Sequence, residues 1–258
     1  MNKFKILALS LLLTKSLFAT YVNDEDTLGN IALKIGILKS NINGTITNED
    51  PNGDTDFKKD LGYNDSQNIN TFALDLKNDI SWLPNISINY FRLNSSSTNT
   101  LVGTRNIDSQ NFSGSVSSTI IYQELDTIMY GFLYNGPFEF NFGLNLKKID
   151  YTQDIVENTG SKEVNIKGPS SLLAVPYGAI KVNLDFIDTV LMASTSILSF
   201  GDNEAKDYEY SINYRVMRNI YLSYGYKYNS FKTTNSNNDK EIYDVNIKGN
   251  YISCKILF

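Results

Sequence analysis

The chain has 258 residues, with 23 Lys and Arg against 28 Asp and Glu, no His and a single Cys. The absence of histidine removes the commonest general base, the usual zinc ligand and every Ser-His triad. The acidic balance argues against nucleic acid as a partner, since phosphates demand clustered Lys and Arg, and Cys254 alone cannot form an intramolecular disulfide.

The first element is a targeting segment. In MNKFKILALSLLLTKSLFA, Lys3 and Lys5 form a basic start, Ile6 to Leu13 an apolar stretch, and Ala19 a small residue suited to cleavage. The pattern predicts a cleaved secretory signal peptide over residues 1–19, with residues 20–258 as one mature domain. Cleavage takes away Lys3, Lys5 and Lys15 and no acid, so the mature chain is more acidic still. No cysteine follows the cleavage point to carry a lipid. No later stretch supplies the roughly 18 uncharged apolar residues of a spanning helix.

Beyond the signal, period two dominates and helical periodicity is nearly absent. Ten strands are expected, at about 28–40, 68–78, 85–96, 118–134, 138–152, 171–186, 189–201, 206–216, 219–232 and 242–258. Leu33, Ile35 and Ile37 oppose Lys34 and Gly36, and Leu74 and Leu76 oppose Asp75 and Lys77. FEFNFGLNLK sets Phe138, Phe140, Phe142, Leu144 and Leu146 against Glu139, Asn141, Gly143, Asn145 and Lys147. In DYEYSINYRV and IYLSYGYKYN, tyrosines and aliphatics alternate with Glu209, Arg215 and Lys227.

The connections alternate in length. Those at 78–85, 135–137, 187–188 and 217–219 are short; those at 41–67, 97–117, 153–170, 202–205 and 233–241 are longer and rich in Asn, Ser, Thr, Asp and Gly. Alternation alone also suits a soluble barrel or sandwich. Strands of about 9–11 residues or more, one-sided long loops and aromatic residues near strand ends favour a transmembrane antiparallel up-and-down β-barrel. Hydrocarbon offers no hydrogen-bond partner, so the sheet must close, with both termini on the periplasmic side.

Five stretches carry a resemblance: SWLPNISINY (81–90), LDTIMYGFLYN (125–135), FGLNLKKIDY (142–151), VPYGAIKVNLDF (175–186) and ILSFGDNEAKDYEYSINYRV (197–216). Together they resemble a family of small Gram-negative outer-membrane β-barrel proteins of unknown function. The resemblance implies the barrel fold and an outer-membrane location, and brings no catalytic, cofactor or ligand residue with it.

Parity assigns an inward polar set: Lys34, Asp75, Lys77, Glu139, Lys147, Lys181, Asp185, Glu209, Arg215, Lys227 and Lys255. Both signs are present, so the expected lumen is narrow and filled by paired charges; a narrow channel or transporter for small solutes is the alternative. In NEDPNGDTDFKKD, Asp50, Asn52, Asp54 and Asp56 sit two apart, as calcium ligands do. Gly53 and Leu61 fall where an EF-hand needs other residues, so a hydrated surface loop is the plainer expectation. Neither enzymatic activity nor a cofactor is expected. The expected role is structural or surface recognition, with outer-membrane lipid, lipopolysaccharide and the barrel-assembly machinery as partners; the extracellular ligand is left unnamed.

The last strand ends NYISCKILF. Ile252, Cys254, Ile256 and Phe258 alternate with Ser253, Lys255 and Leu257, a lipid-facing row ending in an aromatic that resembles an assembly signal. Higher in the strand, Tyr243, Val245 and Ile247 are apolar on the opposite parity. The change of phase across KGNY predicts a β-bulge between Lys248 and Tyr251, with Gly249 as its site.

Overall fold

The structure, a computed structural model, describes residues 31–48, 54–78, 83–134, 137–160, 162–168, 171–184, 189–200, 203–234 and 241–258. The expected signal peptide lies outside the described residues. Among the described residues there is no helix, and the strands are β1 (Ile31–Thr47), β2 (Thr55–Asp56), β3 (Gln67–Leu76), β4 (Asn85–Thr100), β5 (Arg105–Ile107), β6 (Gln110–Phe112), β7 (Ser115–Tyr134), β8 (Phe138–Glu157), β9 (Glu163–Lys167), β10 (Ser171–Leu184), β11 (Thr189–Phe200), β12 (Asn203–Met217), β13 (Ile220–Thr234) and β14 (Ile242–Leu257).

The long strands β1, β3, β4, β7, β8 and β10 to β14 form one antiparallel ring. Each pairs with the next long strand along the chain, and β14 returns to β1 from Ala32↔Leu257 to Thr47↔Ile242. Closure leaves no bare edge among the ten, which is how a sheet with one apolar outer face avoids open pairing sites. The expected short connections lie at one end of the barrel, the turn end; at the other, the tall end, the connections are long except between β11 and β12, where the longer link expected at 202–205 is instead strand and Phe200 pairs with Asn203.

Side chains alternate in and out along the strands, with register shifts only near the turn end, at Phe132–Tyr134 of β7 and Arg215–Met217 of β12, but their chemistry inverts partway up. On β8 the outward row runs Phe138, Phe140, Phe142, Leu144 and Leu146, then Lys148, Asp150, Thr152 and Asp154. Its inward row runs Glu139, Asn141, Asn145 and Lys147, then Ile149, Tyr151 and Ile155. On β1, outward Ile35 and Ile37 give way to Lys39 and Asn41, while inward Lys34 gives way to Leu38, Ile42 and Ile46. The turn half is therefore polar inside and apolar outside, and the tall half is apolar inside and polar outside.

This inversion replaces the expected β-bulge. The β14 ladder is regular against both neighbours: Lys248, Gly249, Asn250 and Tyr251 pair in register with Asn41 to Leu38 and with Tyr228 to Gly225. Tyr243, Val245 and Ile247 face inward on the same parity as Tyr251 and Ser253, and all five are buried. The apolar residues change sides because the dry side changes, not because the strand slips. Gly249 instead relieves crowding: a Cβ there would stand 1.8 Å from the Lys39 carbonyl oxygen and 2.9 Å from the Ser40 Cα.

The tall half holds one apolar cluster. Tyr122 stacks on Phe231 (centroids 5.5 Å), Phe231 meets Tyr151 edge-on (5.3 Å), and Phe91 packs on Tyr122 (5.5 Å). Two connections expected to be hydrated loops contribute to it. From 41–67, Phe57, Leu61 and Tyr63 fold inward; from 97–117, Leu101, Ile107 and Phe112 do the same. The Tyr63 hydroxyl donates to Ser118 Oγ at 2.8 Å, and burial pushes its pKa up to about 12. Strands also run farther than expected toward the tall end, through Thr47 on β1, Thr100 on β4 and Glu157 on β8. Their outward Asn, Ser and Thr read as loop chemistry, and only the inward row shows that they are strand.

Gly249→Ala should force the β1–β14 seam apart and destabilise the barrel by about 1–3 kcal/mol. The urea midpoint of refolded protein checks this; an unchanged midpoint would mean the seam has slack.

Candidate functional site

The centre of the barrel, just below the aromatic layer, is a cluster of buried charges. Lys147 on β8 points inward, and its Nζ lies 2.9 Å from Glu124 Oε1, 2.8 Å from Asp126 Oδ1 and 2.8 Å from Asp207 Oδ2. Glu124 and Asp126 come from β7, beside β8, and Asp207 from β12, three strands around the ring, so the cluster crosses the lumen. Lys147 and Glu124 are each 1% exposed. A second ammonium, Lys227 on β13, stands 3.8 Å from Glu124 and 4.9 Å from the centre of the Phe91 ring. Neutral donors fill in the geometry: Tyr122 donates to Glu124 at 2.5 Å, Asn145 to Asp126 at 3.0 Å, and Asn229 to both Glu124 and Asp207 at 2.6 and 2.9 Å.

Below this level, smaller pairs line the turn half. Lys34 meets Glu209 at 3.2 Å, and Tyr251 donates to the same carboxylate at 2.6 Å. Lys255 meets Asp75 at 2.7 Å, with Ser87 donating to Asp75, and Lys181 meets Glu139 at 2.7 Å, with Asn141 donating to Glu139. Lys77 is exposed at the turn end, Arg215 is exposed where the β12–β13 register shifts, and Asp185 lies outside the described residues. Two voids adjoin these layers, about 40 and 30 Å³. Each has room for a water or two.

The tall end is covered by the β5–β6 hairpin. It turns at Asp108 and Ser109, both with positive φ (49° and 63°), the signature of a tight two-residue hairpin. Glu241, at the foot of β14, accepts from the Asp108 N–H at 2.5 Å and from the Tyr243 hydroxyl at 2.8 Å. Asn48 beside β1 donates to the Asn106 carbonyl at 2.6 Å. At the other side, Glu157 of β8 accepts from Ser113 N–H at 3.0 Å, and Lys162 donates to the Asn111 carbonyl. In the ring, β8 and β14 are five steps apart in either direction. The hairpin therefore spans the mouth across its full width, with Ile107 and Phe112 buried beneath it.

Among the described residues, Glu124, Asp126 and Asp207 are the one group of acids close enough to share a cation, and the Lys147 ammonium occupies their centre. In the loop considered for calcium, Asp50 and Asn52 lie outside the described residues and Asp54 is exposed. Asp56 Oδ1 accepts from the N–H groups of Lys58 and Lys59, both at 2.8 Å, the geometry of a turn cap. Of the terminal row, Ile252 is outward and 64% exposed, Cys254 is partly buried, and the Phe258 N–H donates to Ile31 at 2.8 Å. The three central acids were absent from the inward set read from sequence, although their strands carry the same alternation. Glu124 and Asp126 share parity with buried Tyr122 and Ile128, and Asp207 with Glu209.

No family model matches the sequence, and no curated protein matches it. Among solved structures, the outer membrane protease OmpT from Escherichia coli is similar at 11% identity, over 93% of this chain and all of that one, with a TM-score of 0.48. The translocator domain of the autotransporter NalP from Neisseria meningitidis shares 12% identity over 98% of both chains, TM-score 0.41. The toluene transporter TodX of P. putida shares 7% identity over 89% of this chain and 90% of that one, TM-score 0.37. All three scores are below 0.5, so the barrel assignment rests on the closed ladder, and the activities in these names belong to those proteins.

Lys147→Met should leave three carboxylates facing each other without their central cation, destabilising the barrel by about 3–5 kcal/mol. Adding Glu124→Gln, Asp126→Asn and Asp207→Asn should recover much of the loss in the same unfolding assay. Equal stability of Lys147→Met and wild type would contradict the role given to the cluster.

Proposed function

We propose that this protein is an integral outer-membrane β-barrel with a closed lumen, acting in structure or surface recognition and neither conducting solute nor catalysing a reaction. The observation that carries the reading is the double closure: a charge cluster crosses the lumen, and an apolar layer beneath the β5–β6 hairpin lies over it. Buried side chains occupy both layers, which weighs against the channel alternative.

The membrane part of the reading is supported by the turn half. Ile35, Ile37, Phe72, Phe138, Phe140, Phe142, Ile180, Ile212 and Leu222 all stand exposed on its outer face. A patch that continuous is a liability in water and a requirement in hydrocarbon. The interior of the same half is polar, the reverse of a water-soluble barrel. The tall half, polar outside and dry inside, suits a rigid head standing above the membrane. Export by the signal peptide over residues 1–19, and recognition of Ile252, Cys254, Ile256 and Phe258 by the assembly machinery, belong to the same reading. So does the resemblance of five stretches to small outer-membrane barrels. The acids of the lumen are engaged by lysines, with no histidine in the chain to act as a base, which supports a non-enzymatic role.

Refolded protein inserted into a planar bilayer should give no conductance steps at moderate voltage. Regular, reproducible steps of one amplitude would overturn the closed-lumen reading.

A further inference from the structure

Where the outer face of the barrel turns from apolar to polar, its charges are unevenly distributed. On β8 and β12 the first basic residues above the apolar rows are paired with acids: Lys148 with Asp150 at 3.4 Å, and Lys206 with Glu204. On β14, β1 and β4 they are not. Lys248, Lys39 and Arg92 are outward and exposed, and none has an ion pair or side-chain hydrogen bond among the described residues.

These three lie close together. Lys39 is registered opposite Asn250, and Lys248 opposite Asn41, which makes the two lysines diagonal neighbours about 7–8 Å apart. Arg92 is one residue beyond the last β3–β4 pair, Thr71↔Phe91, with β3 alone between it and β1, roughly 10 Å away. Amides surround them: Asn41 on β1, Asn70 on the intervening β3 and Asn250 on β14 face outward. The nearest outward acid on β14 is Asp244, two outward positions farther toward the tall end. Directly toward the turn end lies exposed apolar surface, Ile35, Ile37, Phe72 and Ile252.

We propose that this patch on β14, β1 and β4 binds the phosphorylated sugar headgroup of an outer-leaflet glycolipid of the lipid A type. Lys39, Arg92 and Lys248 contact the phosphates, the asparagine amides contact the sugar, and the acyl chains lie along Ile35, Ile37, Phe72 and Ile252. The inference rests on the outer-membrane reading above, with the tall end outward. Unpaired cations beside hydrocarbon fit an anionic headgroup whose tails run down the same strands; a free anion would use the charges and leave the apolar surface unexplained.

The test uses the mature barrel reconstituted in phosphatidylcholine vesicles containing bisphosphorylated lipid A and then extracted into detergent, with retained lipid counted by native mass spectrometry. Wild type should retain bisphosphorylated lipid A about 100-fold more strongly than the Lys39→Gln, Arg92→Gln, Lys248→Gln triple variant, at roughly fivefold for each basic contact. A Lys148→Gln, Lys206→Gln control should match wild type. Equal retention by the triple variant, equal retention of lipid A stripped of its phosphates, or displacement of lipid A by inorganic phosphate at ordinary buffer strength would overturn the site. Failure of wild type to insert into vesicles would instead overturn the membrane reading, and this site with it.

Discussion

The closed hydrogen-bonded ladder, in register through the middle of the barrel and shifted only near the turn end of β7 and β12, is the constraint on which the rest of this structure depends. A strand that alternates in and out cannot change phase without a bulge, so one geometry must serve both halves of the barrel. When the outer face passes from apolar to polar surroundings, the inner face has to make the opposite change. On β8 both changes fall between residues 146 and 149, and on β1 between 34 and 39. Interior charges and interior rings are thus stacked in one tube, with the cation of Lys147 just beneath the Tyr122, Tyr151 and Phe231 layer.

The two interiors close the tube by different physics. In the turn half, each inward carboxylate among the described residues is matched to an ammonium and to neutral donors, because an unpaired buried charge costs several kcal/mol. Direction matters there, and Asn145 and Asn229 hold the acids in place around Lys147. In the tall half, contact matters more than direction, and aromatic and aliphatic side chains fill the cross-section together. The β5–β6 hairpin then ties opposite sides of the rim together through Glu241 and Glu157, so that the head is braced across its diameter as well as around it.

Much of this was legible in the sequence, and the gaps have physical causes. The ten long strands and the inward placement of residues such as Lys34, Asp75 and Lys255 follow from period two, which is read most easily where the outer row is apolar. The tall half obeys the same period, but its outward Asn41, Asn43 and Thr45 resemble a loop, and its inward Ile42 and Ile46 are too sparse to stand out. The apparent phase change near Gly249 was real as chemistry and absent as geometry. Sequence alone carries no mark of where the surroundings of a strand change, so a bulge and an inversion look alike. The partners of Lys147 could have been found by applying the same parity to residues 118–134 and 206–216, inside which Glu124, Asp126 and Asp207 fall. The hairpin could not have been placed, because Asp108-Ser109 is a weak turn signal and its anchors, Glu241 and Glu157, lie far away in the chain.

The most direct measurement is a spin-label scan of single cysteines along β14 in lipid vesicles, with Cys254 first replaced by Ser and collisions with oxygen and a water-soluble nickel reagent compared at each site. The account predicts an unbroken two-residue period from 243 to 257, with even positions contacting the nickel reagent up to 250 and oxygen from 252 onward. A shift of the period by one residue between 248 and 251 would contradict it, because a strand that slips has no need of an inverted interior.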